Sequence, residues 1–229
     1  MPMNLTSMID HTNLKPEATP GDIARLCVEG RECGFASVCV NGWYVAQVAE
    51  ALAGTRVKTC AVAGFPLGAS RPEAVAAEAA QACRDGAEEV DFVAHLPQLL
   101  AKDVAGARDF FSAVVDAVRS ERDDAEVKVI LETAVLLAGA SEQEAAARIE
   151  AACEAAQRAG CDFVKTSTGF HPAGGASEQA VRLLKRFAGP MLVKAAGGIR
   201  TREDAERMVD AGADRLGCSA GVQIVRCQV

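Results

Sequence analysis

Short runs of β-branched and apolar residues alternate along the chain with longer alanine-rich stretches, in which apolar positions recur every three to four residues. The apolar runs predict eight strands, near residues 8–12, 36–40, 57–63, 89–93, 127–132, 162–166, 191–195 and 214–218. Between them the spacing predicts helices near 20–33, 43–53, 71–85, 103–119, 141–159, 177–187 and 202–211. The stretch 103–119 shows the helical period most plainly, with Val104, Ala107, Phe111, Val114, Val115 and Val118 on one face. Local start signals agree. Thr19-Pro20 supplies a cap and a first-turn proline, Ser141 to Glu144 reads as a capping box, and Thr201 to Asp204 is a near relative of one. Gly34, Gly54, Gly86, Gly160, Gly189 and Gly212 stand where the helices should stop.

Strict alternation of strand and helix implies parallel strands joined by right-handed crossovers. Eight such units in 229 residues predict an α/β fold, a single-domain TIM barrel spanning residues 1–229. An open doubly wound sheet is the alternative. It would usually carry a G-x-G-x-x-G turn after the first strand, and the chain has none there. The chain ends about ten residues after the eighth predicted strand, so the last helix must be short.

Half of the residues are hydrophobic, enough for one large core. The formal charge of −7 and the absence of a basic cluster argue against nucleic acid and anionic membranes as partners. No apolar run approaches the ~18 residues of a membrane span. The first residues lack the basic start and apolar stretch of a signal peptide. The nine cysteines show no paired spacing, so reduced thiols and a cytoplasmic location are expected. Alanine-rich outer helices could pack against a second copy to give a homo-oligomer, although no patch singles one out.

Two lysines change the picture. Lys165 and Lys194 each end an apolar run and lead into a polar, glycine-bearing loop. Lysine is costly to bury. In a TIM barrel the active site gathers at the C-terminal ends of the strands, and the opposite face serves stability. That rule sets Lys165 and Lys194, at the far ends of strands six and seven, apart from Lys58 and Lys128. The latter two lie near strand starts and are expected on the bottom face or in solvent. Two amines on neighbouring strands, ~4.8 Å apart, disfavour each other's charged form. This is one way to activate an amine nucleophile for Schiff-base chemistry. A salt-bridged polar rim is the plainer reading of the same pair.

Asp91 sits inside the otherwise apolar core of strand four and needs a partner or a task. Opposite two amines it would supply charge balance and an acid/base group. Glu132, Asp10 and Thr12, at the ends of strands five and one, are candidates of a weaker kind that could act directly or by supporting other groups. Ala196-Gly197-Gly198 follows strand seven ahead of a helix, and Gly217-Cys218-Ser219-Ala220-Gly221 follows strand eight. These are the usual positions of a phosphate site in this fold, where glycines let backbone N–H groups approach an anion. His11, His95 and His171 are not at metal-ligand spacing. A metal site would have to assemble in space, from His11, His95, Asp91 and Glu132. Cys39, Cys60 and Cys218 read as small core residues.

These residues carry a family resemblance. Ile9 to Thr12 (IDHT), Ala36 to Asn41 (ASVCVN), Gly64 to Ala69 (GFPLGA), Glu89 to Asp91 (EVD), Val164 to Phe170 (VKTSTGF) and Val193 to Thr201 (VKAAGGIRT) resemble, in order, the deoxyribose-phosphate aldolases. The resemblance spans residues 9 to 221. It implies a TIM-barrel class I aldolase, without metal or other cofactor, acting on a small phosphorylated sugar. The reaction implied is reversible cleavage of 2-deoxy-D-ribose 5-phosphate to D-glyceraldehyde 3-phosphate and acetaldehyde. Lys165 falls at the place of the Schiff-base lysine, Lys194 at that of the second lysine that tunes it, and Asp91 at that of the acid/base aspartate. Asp91 and Lys194, with an ordered water, would carry protons. Gly169, Gly197, Gly198, Gly217 and Ser219 match the substrate and phosphate loops, with Thr166 beside them in a supporting place.

The chain departs from the family pattern at Ala94 to Leu99 after Asp91, at His171-Pro172, at Asn41-Gly42, at Ala220 in place of a second serine, and in its short C-terminus. Two rival readings are another Schiff-base aldolase of the transaldolase kind and a phosphate-ligand binding barrel without catalysis. The VKAAGGIRT lysine argues against the first. Retention of all three charged groups argues against the second.

Overall fold

The computed structural model describes residues 4–226. Eight parallel strands form a closed barrel in chain order, β1 (Ile9–Asn13), β2 (Ser37–Val40), β3 (Lys58–Ala63), β4 (Glu89–Val93), β5 (Glu126–Ile130), β6 (Phe163–Lys165), β7 (Leu192–Ala196) and β8 (Arg215–Cys218). β1 pairs with both β2 and β8 and so closes the ring. The helices between strands are α1 (Pro20–Cys33), α2 (Val45–Leu52), α3 (Pro72–Arg84), α4 (Leu96–Leu100), α5 (Val104–Glu121), α6 (Thr133–Leu137), α7 (Glu142–Ala159), α8 (Glu178–Phe187) and α9 (Arg202–Asp210), and α10 (Gly221–Arg226) follows β8. The predicted TIM barrel is therefore the fold.

Alternation along the strands separates two environments. One set of side chains, including Val38, Ala61, Val90, Phe92, Val127, Val129, Val164 and Val193, joins the helix faces in one large apolar core. Phe111, Val114, Val115 and Val118 of α5 belong to it, as the period predicts. The other set faces the barrel axis. A small apolar cluster there, Leu14, Cys39, Cys60 and Val62, is separate from the main core. Most other inward positions are charged. Asp10, Glu89, Asp91, Lys128, Lys165 and Lys194 are all buried. A TIM barrel is usually filled by branched apolar residues, so this interior is unusual.

Several expectations need correction. Lys128 is the third residue of β5 and wholly buried inside the barrel, not a bottom-face or solvent lysine. β5 starts at Glu126, which moves Lys128 up the strand. Lys58 does lie at a strand start, partly exposed, paired with Glu126 at 2.9 Å. Asp10 is the second residue of β1 and lies beneath the mouth, not at the strand end. The boxes are also reversed. Thr201 and Asp204 form the complete capping box. At Ser141 only the hydroxyl half is present, because the Glu144 carboxylate binds Lys102 and Arg148. The short helices α4 and α6, five residues each, have too few turns to show a period in the sequence. The short last helix is α10.

Candidate active site

β6 is three residues long and ends on Lys165, whose register partner on β7 is Lys194. Side chains of directly paired residues project to the same face of a sheet, so both amines enter the barrel. Asp91 reaches between them from β4. Its Oδ2 accepts from Lys165 Nζ and from Lys194 Nζ, each at 2.7 Å. Its Oδ1 is ion-paired with Lys128 Nζ at 3.0 Å and accepts from the Cys60 thiol at 3.4 Å. The three charged groups singled out in the sequence are thus joined through Asp91. The two amines are bridged by a carboxylate oxygen rather than simply adjacent.

The network continues downward. Lys194 also pairs with Asp10 Oδ2 at 2.5 Å, and Arg215 with Asp10 Oδ1 at 2.6 Å. Glu89 joins Lys128 at 2.6 Å and Arg215 at 3.2 Å. Lys58 and Glu126 close the lower end. Lys58, Lys128, Lys165, Lys194 and Arg215 thus face four carboxylates, Asp10, Glu89, Asp91 and Glu126. Fully ionised, the ladder carries one positive charge in excess.

Burial alone would push the Asp91 carboxyl up, but Lys128, Lys165 and Lys194 outweigh it and hold the group well below the usual carboxylate range. Burial disfavours the charged form of Lys194, and Asp10 and Asp91 overcome that, so its amine stays protonated above the ordinary lysine range. Lys128 is held up in the same way, against burial, by Asp91, Cys60 and Glu89. Glu89 goes the other way, with burial raising its carboxyl.

Above this floor lies an open cavity of ≈ 570 Å³ whose lining includes Lys165, Thr12, Gly169, Gly197, Gly198, Gly217 and Ser219. Lys194 and Asp91 are buried and not on its wall. The glycines are required by close approach. A β-carbon on Gly197, at φ 92°, would lie 2.9 Å from the Gly175 Cα and 3.1 Å from the Gly169 Cα. One on Gly217 would lie 3.1 Å from the Lys194 Cε, so Gly217 also makes room for that lysine. The start of α9 is less open to an anion than its position suggests. Thr201 Oγ1 accepts from Asp204 N, and the Asp204 carboxylate accepts from Arg200 N and Thr201 N.

The supporting candidates divide. Glu132 Oε2 accepts from Thr168 Oγ1 at 2.6 Å and from Thr168 N at 3.3 Å, tying the end of β5 to the loop after Lys165. Thr166 Oγ1 donates to Ala196 O and accepts from Ala196 N, which stitches β6 to β7 outside the cavity lining. Thr12 Oγ1 donates to Asp10 O. The four residues considered for a metal do not converge. His11 pairs with Glu29 at 2.7 Å, and His95 lines a second cavity with Arg71 and Gln98. Among the described residues the ligand atoms that do gather are those of Cys39, Cys60 and Asp91, where the three ammonium groups on Asp91 would repel a cation.

Lys128, Arg215 and Glu89 join the network, and Gly175 packs on Gly197, without being marked as site residues by the sequence. Only the Gly174-Gly175 pair gave a signal for the last.

Comparison with known proteins agrees with this geometry. The sequence profile of the DeoC/LacD family aldolases matches residues 5–226. A deoxyribose-phosphate aldolase of Caldanaerobacter subterraneus subsp. tengcongensis is 48% identical over 224 residues, covering 97% of this chain and 93% of that protein. One from Listeria monocytogenes serotype 4a is 49% identical, covering 97% and 95%. The solved structure of the tetrameric deoxyribose phosphate aldolase of Aeropyrum pernix superimposes with a TM-score of 0.85 at 34% identity, covering 97% of this chain and 89% of that one. With the match running nearly from end to end, the chain belongs to the DeoC/LacD family of aldolases.

Proposed function

We propose that this protein cleaves 2-deoxy-D-ribose 5-phosphate reversibly into D-glyceraldehyde 3-phosphate and acetaldehyde through a Schiff base on Lys165. The observation that carries this reading is the placement of Lys165. It is the one of the three contacting groups that reaches the cavity wall, with its Nζ on Asp91 and glycine loops across the opening. With one proton passed from its ammonium to water beside Asp91, the Lys165 amine adds to the aldehyde of the open-chain sugar, and the adduct loses water. The protonated imine then accepts the electron pair of the breaking carbon–carbon bond while the 3-hydroxyl gives up its proton, releasing glyceraldehyde 3-phosphate. The enamine left on Lys165 takes a proton on carbon, and water releases acetaldehyde. Asp91, with water, moves the protons, and Lys194 acts mainly through its fixed charge. Gly169, Gly197, Gly198, Gly217 and Ser219 hold the phosphate end.

Acetaldehyde with borohydride tests the reading. The expected result is irreversible loss of turnover with an N-ethyl adduct mapped to Lys165. Absence of that adduct would falsify the Schiff-base assignment. Turnover should survive exhaustive chelation, and loss restored by zinc would point to a metal instead.

Assembly into a homo-oligomer is part of the same reading, supported by the tetrameric relative and by the alanine-rich outer helices. Light scattering should return a mass above that of one chain. No helix among the described residues is long and apolar enough to cross a membrane.

A further inference from the structure

We infer that Lys128 is a positioning residue for Asp91, fixing the torsion of the carboxylate so that one oxygen stays on Lys165 and Lys194 while the other is held away from them. The inference rests on the Schiff-base reading above. An aspartate carboxylate turns about a soft, two-fold torsion, so anchoring both oxygens narrows its swing more than anchoring one. In this site they are anchored differently. Oδ2 takes the amines of Lys165 and Lys194, and Oδ1 takes Lys128. Without Lys128, the remaining donor to Oδ1 is the Cys60 thiol, a weak one at 3.4 Å.

The register makes this arrangement specific. Asp91 and Lys128 are direct partners on β4 and β5. Lys128 lies against Glu89 at 2.6 Å, with its ammonium 5.5 Å from the Phe163 ring, and does not line the cavity. Balancing Glu89 is the plainer role. Arg215 and Lys58 already flank Glu89, at 3.2 and 3.6 Å, so its charge does not depend on Lys128 alone. Around Asp91 stand Lys128 from β5, Lys165 and Lys194 from β6 and β7, the Cys39 and Cys60 thiols from β2 and β3, and Asp10 from β1. Among these, Lys128 is the cation assigned to Oδ1.

The test separates orientation from charge balance. Lys128→Met is compared with the double variant Lys128→Met/Glu89→Gln, which removes one cation and one carboxylate and leaves the net charge of the ladder unchanged. If Lys128 positions Asp91, kcat should fall about 10- to 100-fold in both, with KM within about two-fold of the parent. The double variant should regain parent-like thermal stability without regaining kcat. Recovery of parent kcat in the double variant, or a loss confined to KM, overturns the inference. Should the single variant fail to fold, the double variant decides. A parent enzyme with neither turnover nor a Lys165 adduct would overturn the functional reading itself, an outcome distinct from an active parent whose double variant recovers.

Discussion

Glu132 adopts φ 51°, in the left-handed region that a residue with a β-carbon rarely occupies. Such a conformation persists only where the surroundings hold it, and here the hold is the pair of bonds to Thr168. Thr168 is followed by Gly169 on the cavity wall, so the strain at Glu132 sets the path of the chain leaving Lys165. Glu132→Ala should cost about 1–3 kcal/mol by removing a buried anchor, read as a lower unfolding midpoint. It should also raise KM more than it lowers kcat. An unchanged KM would show that the loop holds its path without that carboxylate. Lys194 behaves differently, because it touches Asp10 and Asp91 and not the cavity. Lys194→Leu should lower kcat by on the order of 10²-fold or more while KM moves little. A change confined to KM would remove Lys194 from the chemistry.

The element that shapes the open end is the set of loops after β6 and β7, packed glycine against glycine. Ala176 N donates to Gly197 O at 3.0 Å, and a β-carbon on Gly175 would meet that carbonyl at 2.3 Å. Gly197→Ala should therefore force these two loops apart and raise KM for the phosphorylated sugar, with less effect on trapping of unphosphorylated acetaldehyde on Lys165. Equal loss in both assays would mean that the substitution disturbs the strands as well. The strands and long helices are legible in the sequence because period, caps and stop glycines agree: all six stop glycines have positive φ. Lys165, Lys194 and Asp91 are legible because each is a charge at an apolar position with a polar loop or empty partner nearby. Lys128 is not, because a one-residue uncertainty in where β5 begins turns a strand-start lysine into a buried one. Nor is the bridging of two amines by one carboxylate, since strand spacing gives the distance between neighbours but not what lies between them.

Across the whole molecule the buried ladder governs how stability responds to pH. Asp10 and Asp91 are held below the unfolded carboxylate value of ~3.9, against burial, by the surrounding cations. Their contribution is fully present above about pH 4 and is lost only as pH falls through their lowered folded values. Lys128 and Lys194 are held above the unfolded value of ~10.4, so theirs is present below about pH 10 and lost as pH rises beyond it. Glu89 opposes them. Burial raises its carboxyl, and its contribution declines as pH rises through that raised value. The unfolding midpoint should vary little between about pH 5 and pH 9 and drop steeply only below about pH 4. A midpoint that falls steadily from pH 7 to pH 5 would show that the ladder is not ionised as described. The direct register of Lys165 with Lys194 carries a separate consequence for how the chain tolerates insertions. Adding a single residue inside β6 would turn Val164 inward and send Lys165 out among the helices. Extra residues in the connections cost little, since loop closure depends only weakly on length. The connections after β4 and β6, where Ala94 and His171-Pro172 stand, lie outside the strands and are where added residues should be tolerated. An added residue is thus expected to be harmless at the rim and ruinous along the staves.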